Sequence, residues 1–245
     1  MNSFVRFGQY LIMLGSLFSK SEKRSMYWHE TLRQMNDIGV GSLPIVAIIA
    51  TFIGAVTALQ TGYQMLSSFV PKYYVGFIVR DSMLLELGPT ICSLILAGKV
   101  GSNIATELGT MRISEQIDAL DVMGINSRAY LIRPKLIAAL IVIPMLIIIG
   151  VFLGCYGGYL ACSISGFMTP SEFTRGLREF FEPYNVYIML VKSLVFAFIM
   201  TTVSCFHGYY ASGGALEIGK ASTAAVVQSC ICIIISDYLL ATILL

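Results

Sequence analysis

The sequence predicts an all-α membrane protein: an N-terminal interfacial helix, then five transmembrane helices, with a short cytoplasmic helix between the second and third. The N-terminus lies inside and the C-terminus outside. Three observations predict this. The 245 residues are 56% hydrophobic and only 12% charged, with a mean hydropathy of +0.78, which is a membrane composition. Five apolar runs reach the roughly 20 residues that a helix needs to cross a bilayer. Lysine and arginine fall unequally on the segments that alternate across it. No polar block is long enough for a soluble domain, so residues 1–245 read as one domain, with 1–38 interfacial and 39–245 a five-helix bundle. A net charge of +2 gives nothing to hold a polyanion, so no nucleic-acid partner is expected.

In residues 1–38, Phe4, Phe7, Leu11 and Leu14 recur at helical spacing, followed by Lys20, Lys23 and Arg24 and then Tyr27 and Trp28. No window here is apolar enough to span, and the aromatic pair fits the membrane interface. The Leu11–Leu14 patch is short and no small-residue cleavage site follows, so no signal peptide is expected. The spans follow at about Leu43–Tyr63, Met83–Thr106, Leu136–Ile164, Val186–Phe206 and Ser222–Leu245. Pro134 is expected in the first turn of the third helix and Pro144 inside it, where it removes a backbone bond. Ten flanking cations lie on the side of the N-terminus and the 107–135 segment. Four lie opposite: Lys72, Arg80, Arg175 and Arg178. That excess places the N-terminus in the cytoplasm. Small residues recur every fourth position at Gly54, Ala58 and Gly62, from Ser93 to Gly109, and at Gly150, Gly154 and Gly158. Such ladders let helices approach closely, within one subunit or across a dimer.

Glu86, Lys99, Lys192 and Asp237 lie within apolar runs, where an ionisable group is costly unless paired or hydrated. Lys99 sits toward the cytoplasmic end, within snorkelling reach of the surface. Lys192 and Asp237 lie about 9 and 12 Å below the outer surface at ~1.5 Å per residue, so a Lys192–Asp237 contact is expected. Glu86 shares that outer depth. The group is either a buried pair fixing helix register or a polar spot in an outward cavity.

Between the second and third spans runs Glu107–Gly124, ELGTMRISEQIDALDVMG. A helix over about 113–124 is expected, capped by Ser114 and ended by Gly124 in a left-handed conformation. Ile113, Ile117 and Leu120 make an apolar stripe; Glu115, Asp118 and Asp121 make an acidic one. The segment is either a docking element for another protein or an ordinary amphipathic surface helix, and its acidity disfavours anionic lipid.

No catalytic constellation emerges. Gly214-Ala-Leu-Glu-Ile-Gly219-Lys220 approaches a phosphate-binding loop, but Ala221 stands where a hydroxyl must meet magnesium. His29 and His207 have no partnering motif, and no metal site is expected. The six cysteines lie in or beside apolar runs and read as inert thiols.

Glu86-Leu-Gly-Pro89, Ala97-Gly-Lys-Val-Gly-Ser102, the run from Glu107 to Leu120 and Val122-Met-Gly124 resemble the MlaE permease family. Phe52-Ile-Gly54, Gly208-Tyr209 and Gly219-Lys220-Ala221 extend the likeness over nearly the whole chain. The resemblance implies a multi-pass inner-membrane permease subunit of an ABC transporter that moves phospholipid between the membranes of a Gram-negative envelope. It implies a homodimer with two separate ATPase subunits, which bind ATP and magnesium, and a periplasmic MCE-domain lipid carrier. This chain itself would hold no cofactor. The acidic segment then resembles a coupling helix, with Arg112, Glu115, Asp118, Leu120 and Met123 meeting the ATPase. The outward lipid cavity would take Glu86, Leu87 and Gln60 and, by position, Lys192 and Asp237. Two departures stand out: Leu85 replaces the arginine often found before the ELGP glutamate, and Asn126-Ser127 replaces an Asp-Pro pair. The rival reading is a non-transporting membrane anchor that recruits soluble partners.

Overall fold

A computed structural model describes residues 3–17, 24–65, 71–166 and 168–244. Lys20, Lys23, Leu245 and the side chains of Phe4 and Arg24 lie outside what is described. Among the described residues there are helices and connections but no strand. The helices are α1 (Ser3–Ser16), α2 (Arg24–Met65), α3 (Tyr74–Ile113), α4 (Gln116–Val122), α5 (Ser127–Ser165), α6 (Pro170–Arg178), α7 (Pro183–Tyr209) and α8 (Ala215–Leu244). Five of them, α2, α3, α5, α7 and α8, are long and apolar enough to cross a membrane.

Four boundaries differ from expectation, each for a local reason. The interfacial stretch before Leu43 runs without a break into the first span. No proline interrupts it before Pro44, and Thr31, Gln34, Ile38 and Ser42 form a buried stripe at helical spacing. The second span begins nine residues early, at Tyr74, and contains two π-helical stretches, Met83–Ile91 and Ala97–Gly101. The third helix begins at Ser127, where the Asn126 side chain accepts the Ala129 amide hydrogen at 3.2 Å, so Pro134 lies well inside it. The run approaching a phosphate loop is mostly the opening of α8, where Lys220 donates to Glu217 at 2.6 Å. α6 had no counterpart in the expected order. Pro170 opens it, and Thr169 and Glu172 close a reciprocal capping box.

The residues form two compact units. The first takes Met1–Ser42, Leu96–Val142 and Val195–Tyr238. Here α1 is held by a bond between the Tyr10 and Thr202 hydroxyls at 2.8 Å, by an edge contact of Tyr10 on Phe206, and by Arg133, which donates to the Leu17 carbonyl. Small residues let backbones meet. A Cβ on Gly208 would lie 2.7 Å from the Ala105 carbonyl, and one on Gly101 would lie 2.8 Å from the Ser204 hydroxyl.

The second unit takes Leu43–Ile95, Ile143–Leu194 and Leu239–Leu245. Gly54 lies directly on the Gly154 backbone, and Gly150 fits against Cys92, Val46 and Ala50. The expected ladders therefore serve packing inside one subunit. Arg80, counted above as a flanking cation, is buried. Its guanidinium donates to the carbonyls of Leu177, Glu179 and Phe180 at 2.9, 2.9 and 3.0 Å. It thereby satisfies the end of α6, where Phe180 takes a left-handed φ of 53°.

Candidate functional site: a buried lysine and an acidic turn

In the second unit, Lys192 on α7 is fully buried, its side chain 0% exposed, while the Glu86 side chain is 47% exposed. The Lys192 ammonium donates to Glu86 Oε1 at 2.8 Å and to the Leu85 carbonyl at 2.9 Å. The local sequence prepares that carbonyl. In α-helical register Leu85 would accept the amide hydrogen of position 89, but Pro89 has none, and the chain here widens to a π-helix. The same stretch sets Glu86 beside that oxygen, and the Lys192 ammonium bonds both. Gly88 is required for close approach, since a Cβ there would strike Val151 and the Met83 carbonyl. The result is a desolvated cation whose counter-charge keeps one side open.

Leu87 beside it is half-buried, and Gln60 is exposed on α2. Asp237 belongs to the first unit, half-buried on α8. Lys99 is exposed on the second π-helical stretch of α3.

In the first unit the acidic segment is a helix–break–helix. Ser114 closes α3 instead of opening the next helix; its hydroxyl donates back to the Thr110 carbonyl at 2.7 Å. The break falls on Glu115, whose φ of 59° is left-handed, a conformation disfavoured for a residue with a Cβ. α4 is therefore shorter than expected, Gln116–Val122. Its far end is as expected. Gly124 has φ +78°, its amide donates to Asp121 O, and the Ile125 amide donates to Leu120 O, the pattern of a Schellman cap.

Arg112 Nη1 bonds Asp118 Oδ1 at 2.5 Å and ties the end of α3 to α4. Ile117 is fully buried and Leu120 partly so, which anchors one side of α4. The other side is open: Glu115, Asp118 and Asp121 are exposed, with Val122 at 89% and Met123 at 65%. An exposed methionine and valine framed by carboxylates present an apolar knob with an acidic rim.

Two features escaped the sequence reading. Lys135, counted as a flanking cation, is 2% exposed and donates to Glu107 Oε2 at 2.5 Å, so the start of the acidic segment is pinned to α5. A mostly apolar cavity of about 770 Å³ lies against α1, lined by Phe7, Tyr10, Val203 and Phe206, with Arg6 and the bonded pair His207–Gln228. It includes none of the expected site residues.

A profile described as Permease MlaE matches residues 31–243. The chain belongs to the MlaE permease family. A relative from Rickettsia bellii named "Probable ABC transporter permease protein" is 42% identical over 215 residues, covering 88% of this chain and 83% of its own. The protein "Trigalactosyldiacylglycerol 1, chloroplastic" of Arabidopsis thaliana is 30% identical, covering 94% of this chain and 66% of its own. The "Intermembrane phospholipid transport system permease protein MlaE" of Haemophilus influenzae is 30% identical, covering 95% and 89%. Both α4 and the Glu86–Lys192 pair fall inside the stretch shared with MlaE permeases.

Proposed function

We propose that this chain is the membrane subunit of an ATP-driven phospholipid transporter in a bacterial inner membrane, with its N-terminus in the cytoplasm and its C-terminus outside. It works as a homodimer with two ABC ATPase subunits and a periplasmic MCE-domain lipid carrier. One observation carries the reading: a chain alike along its length to ABC transporter permeases keeps a half-open charged pair within its spans. An ionisable group inside a span points by default to a substrate or ion path, and this carboxylate is 47% exposed. Glu86 meets the lipid headgroup, Lys192 sets its charge and orientation, and Gln60 and Leu87 complete the outward cavity. The long exposed face of α8, including Val227, Ile231, Ile234 and Leu239, supports the dimer.

Coupling runs through α4. Val122 and Met123 enter a groove of the ATPase, and Glu115, Asp118 and Asp121 meet its basic rim. The Arg112–Asp118 bond passes the displacement to α3, whose backbone continues from Ile113 back to Glu86. Two π-helical stretches lie on that path, and a π-bulge is where a helix changes register most cheaply. Nucleotide at one end and lipid at the other thus bias one two-state element.

The test is reconstitution with the ATPase partners in proteoliposomes. Reversal of both carboxylates, Glu115→Lys with Asp118→Lys, leaves the protein folded and ATP hydrolysis running but stops lipid transfer. Undiminished transfer in that variant overturns the coupling role. A mere anchor predicts that replacing Glu86 also changes nothing beyond stability.

A further inference from the structure

Both π-helical stretches of α3 carry a charged side chain, and the charge on the second has no role in the function above. Lys99 lies on it and lines a cavity of about 420 Å³ within the first unit, formed with Asp37 and Ser42 of α2 and with Asn103. The Lys99 ammonium reaches over Gly41, where an added Cβ would lie 3.7 Å from Nζ. Asp37 and Lys99 are both exposed, and among the described residues no ion pair joins them. A cation and an anion that share a cavity without closing on each other leave both charges to a third party.

Ser42 adds an independent sign. Its hydroxyl is buried and has no hydrogen-bond partner. On the same helix Thr31, Thr51 and Thr57 each donate to the carbonyl four residues back, at 2.7, 2.7 and 2.8 Å. A helical serine that forgoes that bond while lining a polar cavity is available to a ligand.

We propose that this cavity binds the zwitterionic headgroup of a phospholipid in the leaflet on the side of residues 107–135, with phosphate on Lys99 and Ser42 and ammonium on Asp37. A volume in the range of small-molecule sites suits a headgroup. The site needs only that these helices lie in a bilayer, so it stands or falls apart from transport.

The full chain is placed in nanodiscs of equal phosphatidylethanolamine and phosphatidylglycerol, with a photo-crosslinking residue at the exposed rim position 106, and the lipid adducts are weighed by mass spectrometry. Phosphatidylethanolamine adducts should exceed phosphatidylglycerol adducts about tenfold, the worth of one charge-assisted bond. Asp37→Asn should bring the ratio near one while adducts persist. Lys99→Gln should lower both lipids by about tenfold. Adducts that mirror the bilayer composition, or that ignore both substitutions, overturn the proposal. So does calorimetric binding of free phosphoethanolamine or inorganic phosphate to the detergent-solubilised protein that Lys99→Gln abolishes, since the source is then a soluble phosphate. Both substituted side chains are exposed, so folding is not at stake.

Discussion

Replacing Glu86 by leucine separates a half-open pair from a closed one. In a fully desolvated pair, loss of one partner leaves a buried charge and costs about 3–5 kcal/mol. Here the ammonium that would lose its Glu86 partner is fully buried and keeps its bond to the Leu85 carbonyl, and the carboxylate is 47% exposed and already shares its charge with water. Solvent screening of that kind roughly halves the interaction, to about 2 kcal/mol. For a chain of this size that corresponds to a melting shift of about 4–8 °C. In a Lys192→Met background the ammonium is gone, so the same Glu86→Leu change should cost nothing or stabilise slightly. The coupling between the two positions is thus about 2 kcal/mol, within the range for residues in direct contact. Cys92 and Cys205 are buried, and their reaction with a thiol-selective dye in nanodiscs reports unfolding. An equal cost of Glu86→Leu in both backgrounds would refute the pairing argument. A cost as large as 5 kcal/mol would refute the half-open geometry.

Gly54→Ala should destabilise by several kcal/mol, because its methyl meets the Gly154 backbone and not a movable side chain. Gly219→Ala, with open space around it in α8, should stabilise by up to about 1 kcal/mol; thermal melts of the two compare directly. Glu115→Gly relieves the left-handed strain and should stabilise the turn, whereas Glu115→Val should worsen it, as read by amide exchange across residues 113–118. The Glu172 carboxyl is held below its ordinary value of 4.5, first by the Thr169 backbone amide and then by the Thr169 hydroxyl. Because the folded value is the lower one, the cap contributes fully above the ordinary value. It is lost as pH falls through the lowered one, so exchange of the first α6 amides should accelerate only in that acid window. Thr169→Ala, which removes the hydroxyl part of the cap at about 1 kcal/mol but keeps the backbone amide, should reduce the response without abolishing it.

The sequence revealed those features whose cause is local. Run length alone yields five spans, and Gly124 is left-handed because little else accepts that backbone. What it concealed depends on partners far along the chain. Lys135 and Arg80 look like flanking cations, yet they are buried because acceptors 28 and 97 residues away satisfy them. Ser114 has the composition of a cap and the wrong place, since α3 continues to Ile113 and burial of Ile117 forces the turn onto Glu115. The Lys192–Glu86 bond spans 106 residues and has no periodic signature. Its trace is Pro89 instead. A proline four residues after a carbonyl within a span withdraws that carbonyl's usual donor, and in a bilayer no water replaces it. Here a donor from a neighbouring helix, the Lys192 ammonium, reaches that carbonyl at 2.9 Å. The expected Lys192–Asp237 contact rests on depth and helix order, and neither carries any trace of what a proline does to the carbonyl four residues before it.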